Sequence, residues 1–337
     1  MSISFGIIDH LDRQDRPVEQ TYRERLDLLR RYDEAGFYGF HLTEHHFTPL
    51  GLAPSPLIFL AAASQVTSRI RLIPLVLILP LYNPLRLAEE IAMVDHLSGG
   101  RLEFATGKGI SPYELAYFGV NHLEAPAIHK ESFEVLMQAL TGDRVDFQGH
   151  YHRLFDIPVE MKPLQQPHPP LWYATSRVES AEFAAREKRN LAFLAPADRC
   201  RALTDAYRAT WQEAWGSEDM RKLGLARHVY VDENEDRAKE RAAFGFAGWY
   251  EKFGYLWAKN DPRFVTDTGE HRRDAMTICG TPDQVAEQIA EQIEVSGCNY
   301  FIARFAYGEL SHQDSVSSLD LFASEVMPRF AKASASG

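Results

Sequence analysis

A chain of 337 residues, 45% hydrophobic and 25% charged, has the composition of a globular protein with length enough for one large core. Its net charge of -11 and pI of about 5.6 argue against nucleic acid or an anionic membrane as the main partner. The longest apolar run, IRLIPLVLILPLY, is cut by Pro74 and Pro80 and is too short to span a bilayer, no secretory leader is visible, and Cys200, Cys279 and Cys298 lack ligand-like spacing, all of which fits a reduced, cytoplasmic protein.

Short apolar runs alternate with helical patterns along the chain. SISFGII reads as a strand, and 20–35 as a charged amphipathic helix stopped by Gly36. GFHLT is the next strand, followed by an alanine-rich helix over 56–66. IRLIPLVLIL is continuously apolar and β-branched, as a strand buried on both faces should be. A helix over 84–97 carries Pro84 in its first turn. RLEFATG is a fourth strand and 130–140 a fourth helix. RVDFQGHYHRLFDI, with Gly149 between alternating segments, reads as a β-hairpin. PPLWYAT, NLAFLA, LARHVYV and NYFIARFAY supply four more strands. Helices are expected over 178–187, 198–215, 282–295 and 315–330, and an irregular, aromatic-rich insertion over 233–276.

Eight strands alternating with helices, and no linker of deviant composition, predict a single (β/α)8 TIM barrel with insertions spanning 1–337. An open doubly wound sheet is the competing architecture. The first strand–helix crossing lacks the spaced glycines of a dinucleotide-binding sheet.

In a barrel of this kind the strand C-terminal ends carry the chemistry. Glu44, His45 and His46 follow the second strand and so reach the mouth. Neighbouring side chains on extended backbone point opposite ways, so one histidine at most faces the cavity. Asp9 and His10 end the first strand. Arg227 and His228 lie on the seventh with opposite facing, and Arg304 is late in the eighth. GFAGWYEKFGYLW, with Trp249, is either core or a lid that excludes water. Thr175, Ser176, Arg177 and Ser180 sit at a strand-to-helix junction, where helix N–H groups, hydroxyls and a cation suit a phosphate; an ordinary helix cap uses the same residues.

TEHHFTPLGLAPSP, LPLYNPLRLAEE and LSGGRLEFATGKG, in that order between Glu44 and Gly109, resemble the bacterial luciferase-like flavin-dependent monooxygenase family. VESAEFAA, SFGII and FASEVMPRF extend the resemblance over most of the chain; 233–276 matches poorly. The resemblance implies that His45 is the active-site histidine beside the reactive edge of the flavin. Leu75 and Val76 match a backbone segment against the flavin ring, which in relatives often contains a non-prolyl cis peptide. Gly107 falls where luciferase has a cysteine. Lys108 matches a basic residue at the cofactor phosphate, and Glu179 and Ser180 match the start of the helix that receives it; Ser176, at the junction before that helix, is a cofactor-binding candidate beside them.

The implied activity is oxygenation of a small apolar organic substrate with dioxygen and reduced flavin mononucleotide (FMN), the reduced form coming from a separate flavin reductase; light emission is not implied. His45 would be a general acid/base. Glu44 either orients a histidine or is structural, and Glu44, Trp249 and Arg304 are candidate substrate contacts. The alternatives are a deazaflavin-dependent hydride-transfer enzyme of the same superfamily and a non-catalytic flavin-binding subunit. A homodimer through the helices near the second and third strands is also implied. A metal held by Glu44, His45 and His46 is disfavoured, since adjacent strand histidines do not easily reach one ion.

Overall fold

The computed structural model describes residues 3–257 and 269–331. Among these residues twelve strands are formed: β1 Ser4–Asp9, β2 Gly39–Leu42, β3 Arg71–Pro74, β4 Leu77–Ile78, β5 Phe104–Gly107, β6 Arg144–Gln148, β7 Arg153–Pro158, β8 Leu171–Ala174, β9 Asn190–Phe193, β10 Leu223–Val231, β11 Thr277–Gly280 and β12 Tyr300–Arg304. The helices are α1 Val18–Ala35, α2 Pro56–Val66, α3 Pro84–Leu97, α4 Pro112–Tyr117, α5 Ala125–Thr141, α6 Val178–Arg186, α7 Ala197–Trp215, α8 Glu235–Trp257, α9 Glu270–Met276, α10 Pro282–Ser296 and α11 His312–Leu321.

Nine parallel strands run round a barrel in the order β3-β2-β1-β12-β10-β9-β8-β5-β4. The register is carried by pairs such as Ile7↔Phe40, Phe40↔Leu72, Phe104↔Leu171 and Leu225↔Phe301. β3 and β4 are two halves of one wall position, interrupted by a cis Leu75–Val76 peptide. The circuit is completed there: β4 pairs with β5, and Leu72 bridges to Leu102. β11 extends the upper end of β10, and β6–β7 form the expected antiparallel hairpin outside the barrel. The eight wall positions are those expected from the sequence.

Inward residues fill the barrel as a packed interior, where His41, Trp172 and Tyr300 meet with ring centroids 4.8–5.7 Å apart. The outward faces bury two larger clusters against the helices, one around Leu28, Phe40, Phe305 and Phe322, the other around Leu87, Phe104 and Leu136.

Three expectations need correction. The segment read as irregular contains α8, a 23-residue helix whose Phe246, Trp249 and Tyr250 are buried against Tyr230, Tyr307 and Leu310; residues 258–268 of that insertion lie outside the described residues. The third strand is not continuous, because the chain breaks at Leu75–Val76 and turns tightly over Leu79–Leu81. The last helix is regular only to Leu321, then passes through a wide turn, Phe322–Val326, and a tight one, Met327–Phe330. Pro328 explains the loosening, since it cannot donate the backbone hydrogen bond an α-helix needs.

Candidate active site

The loop after β2 is where the titratable groups gather. Glu44 does not face the cavity. Its Oε1 accepts from His46 Nε2 at 2.8 Å, and its Oε2 accepts from the Ile78 N–H at 3.1 Å and the Tyr82 hydroxyl at 2.8 Å. It therefore ties the second strand to the chain just beyond the cis peptide. Burial, with the Glu44 charge beside it, holds the Tyr82 hydroxyl well above its ordinary pKa, so it stays a donor. His46 is turned away with Glu44 and packs edge-on to Phe118.

His45 faces the other way. Its Nδ1 donates to Glu114 Oε1 at 3.2 Å, and the same oxygen accepts the His46 backbone N–H at 2.7 Å. A carboxylate only accepts, so this contact fixes the proton on Nδ1 and leaves Nε2 without a partner among the described residues. Glu114 lies in α4, a short helix capped by Ser111, and is buried. Reading the chain does not find it: its partner is 69 positions away, and Glu114 three residues after Ser111 looks like simple capping.

His45 stacks on His10, with centroids 5.5 Å apart and planes at 14°. Burial first, then the charge of Arg304, holds His10 well below its ordinary pKa, and His228 is depressed in the same order of causes. Both rings are neutral at neutral pH. His228 points into the mouth, 4.4 Å from Trp249, and Arg304 donates to its Nε2 at 3.0 Å. Arg227 points outward, to Gln292 and the Ala226 carbonyl. Asp9 is taken by Arg25 at 2.9 Å. Thus Trp249, Arg304, His228, His10 and His45 come together, while Glu44, Arg227 and Asp9 are held elsewhere. Phe47, Tyr117 and Phe118 form an exposed aromatic rim on the His46 side of the loop, with centroids 5.6 and 5.9 Å from Phe47.

The opposite wall carries the residues matched to the cofactor. A Cβ at Gly107 would lie 2.6 Å from Val76 Cγ2, so glycine there lets the cis segment lie flat against β5. Lys108 is exposed and forms no ion pair among the described residues. The register Ala105↔Trp172 brings it level with the loop after β8. That loop opens α6, whose first turn has no side-chain cap. Thr175 Oγ1 accepts from the Arg177 N–H at 3.1 Å. Ser176 and Glu179 are exposed; Ser180 is buried, with its hydroxyl 3.4 Å from the Arg177 guanidinium. Open N–H groups, a free ammonium and a glycine-cleared platform on adjacent strands fit a flavin-type cofactor with a phosphate. Among the described residues no cluster of metal-ligating side chains is present.

The family model for luciferase-like monooxygenases matches residues 3–299. The chain belongs to that family. It is 37% identical over 334 residues to "Uncharacterized protein y4wF" of Sinorhizobium fredii, covering 97% of each. It is 25% identical to the oxygenase component of flavin-dependent trigonelline monooxygenase from Acinetobacter baylyi, covering 97% of this chain and 96% of the other. Among solved structures it resembles the monooxygenase RslO1 from Streptomyces bottropensis, with a TM-score of 0.87, 25% identity, and 98% and 100% of the two chains covered. The fold is shared as well with the coenzyme F420-dependent tetrahydromethanopterin reductase of Methanopyrus kandleri, at 21% identity and TM-score 0.72 over 98% and 100%. The chain is thus a luciferase-like oxidoreductase, and its relatives carry flavin-type chemistry.

Proposed function

We propose that this luciferase-like protein is the oxygenase component of a flavin-dependent monooxygenase, taking reduced FMN from a separate reductase and using dioxygen to oxygenate a small, largely apolar organic substrate. The observation that carries the reading is the His45–Glu114 contact, which presents one free imidazole nitrogen at the barrel mouth, across from the Val76–Gly107 platform. Bound FMN supplies the electrons and the activation of oxygen, chemistry no side chain here can perform. Leu75, Val76 and Gly107 would bear the ring, while Lys108, Ser176, Glu179 and Ser180 would meet the phosphate through the ammonium, a hydroxyl and backbone N–H groups.

His45 Nε2 holds or moves a proton for the reacting oxygen atoms, with Glu114 keeping the ring's tautomer and angle. Neutral His10 stacked on it adds no repelling charge. α8, through Phe246 and Trp249, would exclude water from the mouth. A deazaflavin bound in the same seat, with hydride transfer and no oxygen, is the second reading; the fold shared with an F420-dependent reductase allows it.

Titration of the purified chain with FMN, reduced FMN, riboflavin and coenzyme F420 separates the two. FMN should bind more tightly than riboflavin, and Lys108→Ala should weaken FMN by about 1–3 kcal/mol while leaving riboflavin unchanged. Tight F420 binding with no FMN binding would favour hydride transfer.

A further inference from the structure

The mouth holds a buried guanidinium that makes no direct ion pair among the described residues. Arg304, the last residue of β12, is buried. One of its terminal nitrogens donates to His228, and the guanidinium carbon stands 5.2 Å from the Trp249 ring centroid. Its Nε and its other terminal nitrogen have no hydrogen-bond partner among the described residues. Two carboxylates lie close enough to act on it, Asp9 and Asp12. Both point their hydrogen bonds elsewhere: Asp9 to Arg25 at 2.9 Å and the Leu11 N–H at 2.8 Å, Asp12 to the Gly308 N–H at 2.8 Å and to Lys252 at 3.3 Å, which Glu309 also holds at 2.7 Å. Burial lowers the guanidinium to about 10, which still leaves it charged at neutral pH.

The polar atoms beside it are also open. The Trp249 indole N–H and the Tyr307 hydroxyl are buried without partners among the described residues, and Tyr307 packs 4.8 Å from His228. His228 accepts from an arginine, so it is neutral and contributes no negative charge. A buried cation with spare donors, next to two further donors, is costly when empty and suited to an anionic acceptor.

Position separates this group from the flavin seat. On the eight-position circuit β12 stands opposite β5. Val76, Gly107, Lys108 and the start of α6 come from the third, fourth and fifth positions. His45, on the second, lies between the two walls.

We infer that the Arg304 guanidinium receives a carboxylate carried by the organic substrate, whose flat apolar body lies along Trp249. This rests on the oxygenase reading, which gives the facing wall to the flavin. The guanidinium fork matches the two carboxylate oxygens, and the indole N–H or the Tyr307 hydroxyl completes their hydrogen bonding. The substrate is then an acid with an aromatic or similarly flat skeleton, its reacting carbon held between the carboxylate and His45.

Benzoate and benzamide, which share shape and differ in charge, are the probes. Calorimetry on the full chain without cofactor should show benzoate binding more tightly by about 10-fold or more. Arg304→Gln should erase that preference and Arg304→Lys keep part of it, with a thermal melt checking that each variant is folded. If the glutamine variant does not fold, the wild-type preference and the lysine variant still decide. Equal affinity for the two probes, or no benzoate binding, overturns the inference. So does an Arg304→Gln protein that keeps its preference for benzoate, or one that loses affinity for reduced FMN instead, which makes the guanidinium the flavin's partner. FMN titration reports on the parent reading separately. FMN binding without a benzoate preference leaves the oxygenase and removes the acid substrate; a benzoate preference without FMN binding does the reverse.

Discussion

At the level of single residues, two glutamates each hold one of the adjacent histidines, and only one of the two stands beside them in sequence. Glu44 stands next to the histidines in sequence and braces the structure through His46; Glu114, 69 positions from His45, makes the contact to the ring proposed above as the acid/base. Glu44→Ala would strand three donors, His46 Nε2, the Ile78 N–H and the Tyr82 hydroxyl. A buried donor left without an acceptor costs about 1–3 kcal/mol, so a loss of about 3 kcal/mol or more is expected from urea unfolding, and less from Glu44→Gln. His45→Ala touches a mouth residue and should leave folding and FMN affinity near wild type. Turnover on a substrate found by screening should fall by roughly 100-fold or more, the scale of a lost general acid/base. Glu114→Gln should fold and lose turnover by about 10-fold, because an amide holds the ring less firmly. The double variant should be no worse than His45→Ala alone, since Glu114 acts only through that ring. Near-normal turnover in His45→Ala would remove the histidine from the mechanism. The opposite facing of the histidine pair was legible because it is the local geometry of neighbours on the backbone just past β2. Glu114 was not, because a contact across 69 residues exists only once the barrel closes.

At the level of elements, what the sequence shows depends on whether a signal is local. Period-2 and continuous apolar runs marked every wall strand. α8 was missed because Gly245, Gly248 and its aromatics are weak helix formers. The fold needs those glycines: a Cβ at Gly245 would sit 2.7 Å from Tyr307 Cε2, and one at Gly308 1.9 Å from the Gly245 carbonyl. The helix therefore lies down on the loop after β12 and carries Trp249 to Arg304. The spacing Phe246, Trp249, Tyr250, Phe253 was the available clue. The barrel interior has its own consequence. His41, on β2, is enclosed by Trp172 and Tyr300, and its Nδ1 donates to the Ile7 carbonyl at 2.7 Å. Burial depresses it to about 4, against 6.5 for the free side chain. The folded chain thus binds this proton less readily than the unfolded chain. The stability it confers is complete above pH 6.5 and is lost as pH falls toward 4, amounting to roughly 3 kcal/mol for this group. His10, His228 and His129 are lowered in the same direction, so they add to the loss. Urea midpoints measured from pH 7 to pH 4 should decline across that window, and His41→Gln should flatten the decline.

At the level of the whole molecule, the remaining question is what covers two exposed helices. α2 and α3 pack side by side and turn Ile58, Val66, Met93 and Leu97 to solvent, with exposures of 74, 40, 50 and 51%. The alanine-rich character of α2 allows close approach of another helix, and its inner face is already used by Leu57, Leu60 and Ala63. Scattered exposed apolar residues are ordinary, but four on two adjacent helices form a stripe of the kind that proteins bury against a partner. We therefore expect a homodimer in which these helices meet their own copies across a two-fold axis. The net charge of -11 opposes self-association in general, so the contact has to come from this apolar stripe rather than from charge attraction. A glutamate in the stripe would be buried without a counter-ion in the dimer and harmlessly solvated in the monomer. Sedimentation at micromolar concentration should show a dimer for the wild type. Ile58→Glu with Met93→Glu should shift it to monomer, without a change in the circular dichroism spectrum. A wild type that sediments only as monomer would leave the stripe without a partner and remove the dimer from this account.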